Sequence, residues 1–248
     1  MSQPASHPTP VPSLGTLPDW TLADLYAAQD DPAVAADFTN AAEAARDFHA
    51  RLFGKVGTLE APALAAAIAE YEAIDERLGR LMTYAQLLFA ADSTSPETAR
   101  FTQSVTERVT TISADLIFFT LELNRLDDAA LAAKLADPAL AHWRPWLRDL
   151  RVFRPHQLSD ELEKILHEKD LTSRAAWTRL FDETIAALRV PVRGEPLTVS
   201  DALNKLSDRD RSLREEAGRA IGATFGAQVR LFGLITITLI KDKEIIDT

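Results

Sequence analysis

The 248-residue chain has no cysteine. That excludes disulfides, iron–sulfur clusters, thiol catalysis and Cys-ligated zinc, and it suits a reducing cytoplasm, the expected location. Glycine is scarce at 9 residues, with no P-loop, no G-x-G-x-x-G phosphate cradle and no G-x-S-x-G nucleophile elbow. Basic residues are outnumbered, 27 against 37 acidic, for a net charge of -10. No basic stripe offsets that charge, so no nucleic-acid partner is expected. Long apolar runs are absent: "LFGLITITLI", residues 231–240, falls short of the roughly 20 residues a membrane span needs. It is read as a buried element, and no membrane partner is expected. The N-terminal "MSQPASHPTPVPSLGTLP" has neither a basic start nor an apolar core. It therefore reads as a disordered tail, residues 1–17, rather than a signal peptide.

What is present favours helix. Alanine is abundant, and it loses no side-chain entropy in a helix. Trp20, Leu22 and Leu25 form an expected anchor where order begins. Asp31 and Pro32 suit a helix start. Val34, Phe38, Ala41, Ala45, Phe48 and Leu52 then recur at helical spacing up to a stop at Gly54. A second helix is predicted from Pro62 to Ala91 on the stripe Leu64, Ile68, Tyr71, Ile74, Leu78, Leu81 and Leu88. Ser95 and Pro96 open a third, with Val105, Val109, Ile112, Leu116, Phe119 and Leu123 on its apolar side. Short polar connections make these three antiparallel neighbours. Shorter helices come next, around Pro138, Pro145 and Pro155. Ser159 is an expected cap there, and Thr172 or Ser173 another; Trp143, Trp146 and Trp177 are read as core. Val190, Val192, Leu197 and Val199 are strand-like around a turn at Arg193-Gly194-Glu195. Pro191 and Pro196 limit them to a short edge-like hairpin near 189–199. Beyond it, Asp208 is expected to cap a long final helix carrying Leu213, Ala217, Ile221 and Phe225. The β-branched run 231–240 favours strand by propensity, but it is assigned to helix because no turn signal precedes it. The fold class expected is mainly all-α.

Complete catalytic sites are not found. His167-Glu168 begins like a zinc-peptidase H-E-x-x-H helix, but Leu171 stands where the second imidazole must be. The pair reads instead as a polar step on a solvated helix face. His7 lies in the tail, His49 sits among polar positions read as exposed, and His142 and His156 adjoin the Trp/Pro region and are expected to cap or pack. Asp30-Asp31, Asp127-Asp128 and Glu215-Glu216 are adjacent pairs whose members point apart on a helix, so they make weak acid/base or metal candidates. Capping accounts for Asp127-Asp128. No catalytic, cofactor-binding or metal-ligating residue is assigned.

An ordered series of stretches carries a resemblance. These are "W-x-L-x-D-L-Y" at Trp20–Tyr26, "RLGRLMTYAQLLFAADSTSPE", "LIFFTLELNRL", "LRDLRVFRPHQLSDELEKILHEKDLTSRAAWTRLFDE" and "LSDRDRSLREEAGRA". Together they resemble the N-terminal part of oligoendopeptidase F, in the thimet-oligopeptidase-like zinc metallopeptidases. In that signature His167 is not a metal ligand. The resemblance implies an almost wholly helical protein enclosing a channel that admits short peptides. Its zinc would be held by an H-E-x-x-H helix plus a downstream Glu, neither of which matches residues 1–248. It implies 18–199 as a helical N-terminal region and 200–248 as the start of the catalytic region, truncated before the zinc motif. Such a chain binds no zinc itself and is inactive alone, and the missing catalytic half covers its apolar C-terminal helix. The alternative is a non-catalytic helical interaction module.

Overall fold

The computed structural model describes Gly15 and residues 20–246. Apart from Gly15, the expected tail at 1–17 lies outside the described residues, as does His7. The first layer is three long helices, α1 (Pro32–Leu52), α2 (Ala61–Ala91) and α3 (Pro96–Ser113). Asp31 starts α1 by accepting from the Ala33 and Ala27 amides at 2.9 Å. All six apolar positions read from its sequence are buried. Gly54 comes next with φ 75°, a left-handed conformation that glycine adopts without Cβ strain. Ser95 caps α3 at the Thr98 amide, 3.3 Å. The helices are antiparallel. Arg51 pairs with Glu70 and Asp37 with Arg77 across α1 and α2, while Thr102 donates to the Ala85 carbonyl across α2 and α3.

Four expectations in this region are corrected. Trp20 does not anchor the chain: it is 88% exposed, and Tyr26, 2% exposed, takes that place with Leu22 and Leu25 half-buried beside it. The Tyr26 hydroxyl donates to Asp37 Oδ2 at 2.7 Å. His49 is half-buried, stacked on Phe53 at 4.7 Å. Trp143 and Trp146 pack on the core, but Trp177 does not join them. The third helix breaks at residues 114–116 and resumes as α4 (Ile117–Arg125). At the break the Asp115 and Leu116 amides donate three residues back rather than four. The Ser113 hydroxyl bonds back to the Val109 carbonyl, an arrangement that bends helices. The apolar stripe Ile112, Leu116, Phe119, Leu123 runs through the break undisturbed and buried, so periodicity alone conceals it.

Helix α4 organises the middle of the chain. The Glu122 carboxylate accepts from the Gly54 and Val56 amides in the α1–α2 connection, at 2.6 and 3.1 Å. Asp127 caps α5 (Asp128–Leu135) at the Ala130 amide. From α6 (Arg144–Arg151), Arg151 donates to the Leu123 and Asn124 carbonyls at the end of α4. The same guanidinium binds Asp128 at 2.5 Å, and Arg154 joins at 3.0 Å. Gln157 donates to the Leu121 carbonyl, and Arg125 pairs with Asp160 at the start of α7 (Asp160–Lys169). Ser159 caps α7 through the Leu162 amide.

Helix α8 (Arg174–Ala187) begins at Ser173, whose hydroxyl donates back to the Lys169 carbonyl instead of capping forward. It leads into a two-stranded antiparallel hairpin, β1 (Val190–Val192) and β2 (Glu195–Leu197). Its two-residue turn has φ 51° at Arg193 and 81° at Gly194, the twist that matches paired strands. Glu195 is therefore strand, not turn. Val199 is not strand: it opens α9 (Val199–Lys205), capped by Thr198. Val190, Val192 and Leu197 form a small second core with Ala202 of α9 and Ala217 of α10 (Arg211–Ala227). The cap of α10 is Asp210, not Asp208, which instead accepts from the Asp210 amide. The expected single final helix is two: α10 ends before Gln228, and α11 (Val229–Ile246) leaves at 65°. Across this bend Phe232 meets both Phe225 and Phe181 of α8, with ring centres 5.6 and 5.7 Å apart. The run 231–240 is helix, as assigned. Among the described residues no single helix is long and apolar enough to cross a membrane.

Phe48 is fully buried against Tyr71, Phe118 and Phe119, so Phe48→Ala should lower stability by about 3–5 kcal/mol in urea titration. The Arg151 guanidinium holds the Asp128 carboxyl below the usual carboxylate range. A depressed pKa contributes stability above the unfolded-state value, lost as pH falls through the folded one. The melting-temperature gap between wild type and Asp128→Asn should be present at pH 7 and close under acid.

Candidate functional site

The described histidines do not converge. His142 is exposed beside Trp143 on the turn before α6, and His156 is exposed in the turn before α7. His167 departs from the solvated-face reading. It is half-buried, its Nε2 2.9 Å from Ser113 Oγ and 3.3 Å from the Thr110 carbonyl oxygen. The ring thus bonds to the last turn of α3, just before the interruption, where the Thr110 carbonyl also accepts from the Ala114 amide. Glu168 beside it is exposed. The acidic pairs also have local duties. Asp31, Asp127 and Asp128 cap or pair as described, while Glu215 pairs with Arg219 and Glu216 accepts from the Arg193 amide. Among the described residues no group of three or more His, Cys, Asp or Glu side chains could hold a metal ion. Burial, with help from the nearby Asp75 charge, pushes the Tyr71 hydroxyl up to about 12. That tyrosine is protonated at neutral pH, a ring packed against the core and stacked on Phe119.

Two surface features remain. The first is the C-terminal apolar face. Only Ile235 of α11 is fully buried, while Leu234, Ile237 and Ile240 stand 54%, 68% and 56% exposed. The expected buried element is half uncovered, because α11 lies mainly against α8 and the end of α10. Leu180 and Phe181 of α8 are exposed as well. The sequence pointed to an apolar helix here that needs a covering partner, but an apolar run does not reveal which of its sides finds a neighbour.

The second feature is a groove of about 420 Å³ between α2, α3 and α8, floored by half-buried Met82, Phe89 and Leu171. Arg174 and Arg179 rise from its α8 wall. Arg174 Nε donates to Asp170 at 3.2 Å; Arg179 donates to the Gln103 side-chain oxygen and faces Glu183 at 3.5 Å. No spacing rule could have found this groove, since Gln103 and Arg179 on its facing walls are 76 residues apart in sequence.

Residues 122–189 match the family model described as oligopeptidase F. The matched segment runs from Glu122, the residue that ties α4 to the α1–α2 connection, through α8. No curated protein matches the chain. The crystal structure of oligoendopeptidase-F from Enterococcus faecium is similar, with a TM-score of 0.73 at 19% identity, over 84% of this chain and 42% of that one. A peptidase-like protein from Chlamydophila abortus aligns at a TM-score of 0.45 and 21% identity, over 88% of this chain and 37% of that one. The chain thus spans less than half the length of either structure. With the oligopeptidase F pattern over residues 122–189 and a fold shared with oligoendopeptidase-F, this chain is similar to the N-terminal part of that peptidase family.

Proposed function

We propose that this chain is the N-terminal region of a zinc-dependent oligoendopeptidase that hydrolyses short peptides. The observation that carries the reading is the oligopeptidase F match over 122–189, the segment clamped around α4. In this reading residues 18–199 are the helical N-terminal region and 200–248 the opening of the catalytic region. The hairpin core packs onto α9 and α10 across that line. The described residues do not fit a zinc ion, since no three ligand-type side chains converge. In this reading the metal and the groups that activate water belong to chain beyond these residues, and no chemical step is assigned here. The exposed face of α8 and α11 is the surface the catalytic part covers, and the working location is the cytoplasm.

A non-catalytic interaction module is the competing reading, and one experiment separates the two. The reading frame is followed past codon 248, and both forms are purified. The longer protein is expected to contain H-E-x-x-H, bind one zinc and cleave a fluorogenic peptide, while the 248-residue chain does neither. A stop at codon 248, or peptidase activity in the short chain, would sink the proposal. The uncovered face makes a separate prediction. Apolar surface left in water drives association, so the short chain should self-associate, and Ile237→Lys should raise its monomer fraction in light scattering without loss of helix.

A further inference from the structure

We propose that helix α7 carries a self-complementary face on which two copies of this chain pair as an antiparallel, two-fold symmetric dimer. The inference goes beyond the peptidase reading and does not depend on it.

The exposed apolar side chains of α7 line up on one side. Leu158, just before the helix, and Leu162 and Ile165 within it are 45%, 50% and 58% exposed. Steps of four and three residues place them in one stripe about 10 Å long. The opposite side of α7 is held by other contacts. His167 bonds to Ser113 on α3, Leu166 is half-buried, and half-buried Glu163 accepts from the Leu158 amide. The stripe therefore faces away from the core. Val152 and Phe153, just beyond α6, are exposed as well. Apolar surface collected in this way marks an interaction site, whereas single scattered residues do not. The stripe lies on a different helix from the α8 and α11 face, so covering that face does not by itself bury it.

The charges beside the stripe select a second copy as the occupant. Glu161, Lys164 and Glu168, all exposed, share one flank of it at helical spacing. The Glu161 carboxyl is held below the usual carboxylate range by its own amide and then by the Ser159 hydroxyl, so it is ionised at neutral pH. Lys164 forms no ion pair with any described residue. A two-fold interface is isologous, so every contact forms twice. In an antiparallel pair each flank meets the same flank of the second copy. With Leu162 on the axis, Leu158 of each copy meets Ile165 of the other. The same register brings Glu161 of each within one residue of Lys164 of the other. Two opposite-charge pairs thus close that flank, and no like charges are set against each other there. The patch is small, of the class below about 1,200 Å² in total, so the dimer is reversible.

The test is sedimentation velocity on the 248-residue chain carrying Ile237→Lys, which suppresses association through α11. A concentration-dependent dimer is expected to persist. Ile165→Glu, at an exposed position, should weaken it about tenfold or more, with helix content unchanged by circular dichroism. Glu161→Lys alone, or Lys164→Glu alone, puts like charges across the axis, and each should weaken the dimer. An equal mixture of those two variants should restore it, because the mixed dimer regains two opposite-charge pairs. A role of these residues in holding α7 together gives no such recovery on mixing. The dimer should also form in the protein read past codon 248. A monomer at every concentration, a dimer unmoved by Ile165→Glu, or no recovery in the mixture overturns the proposal. A longer protein that stays monomeric also overturns it, and gives the stripe to the added chain.

Discussion

The structure depends on how the end of α4 is satisfied. A nine-residue helix leaves four carbonyls without intrahelical partners, and burying them unpaired would cost more than the helix gains. Here Arg151 takes the Asn124 carbonyl and shares that of Leu123 with the Leu126 amide, while Gln157 adds a bond to the Leu121 carbonyl one turn earlier. At the same time Glu122 satisfies two amides in the α1–α2 connection. One short helix thereby joins the three-helix layer to α6 and α7. The apolar side of α4 supports the same junction, since Phe119 and Leu123 are buried in the core and Phe119 packs edge-on against Phe48. The oligopeptidase F pattern begins at Glu122, where this polar junction starts.

From that junction the second half of the molecule is placed. His167 on α7 bonds to the last turn of α3, beside the break, which sets α7 against α3. The next helix, α8, then lies along α3 with Arg179 on Gln103, and the groove is the space left between them and α2. Helix α11 in turn lies on α8 through the Phe181–Phe232 contact. The groove and the uncovered apolar face are thus consequences of one chain of contacts running from α4 through α7 to α8.

Much of the fold was legible before any coordinates. The buried face of α1 was read residue for residue, because an amphipathic helix against one layer obeys a single period. The caps at Asp31, Ser95, Asp127 and Ser159 were legible because a short polar side chain before a helical run has one good use. The helix breaks were not legible. Ile112, Leu116, Phe119 and Leu123 keep helical spacing straight through the break at 114–116, and no proline or glycine marks it. Likewise Asp208 and Asp210 are chemically equal caps, and only Arg193, reaching Asp210 from the hairpin turn, distinguishes them. The candidate site was the least legible part. Arg174, Arg179, Gln103 and Gln86 carry no motif, and their relation exists only once α2, α3 and α8 are packed.

The sequence by itself determined that this protein is mainly helical, with one short hairpin and most of its helix starts marked by a polar cap. These properties come from local spacing and residue type. The tertiary structure alone decided where the helices interrupt, what His167 does, and which side of α11 faces solvent. Each of those depends on a partner distant in sequence, and neither periodicity nor composition encodes the distance between residues that the chain brings together only on folding.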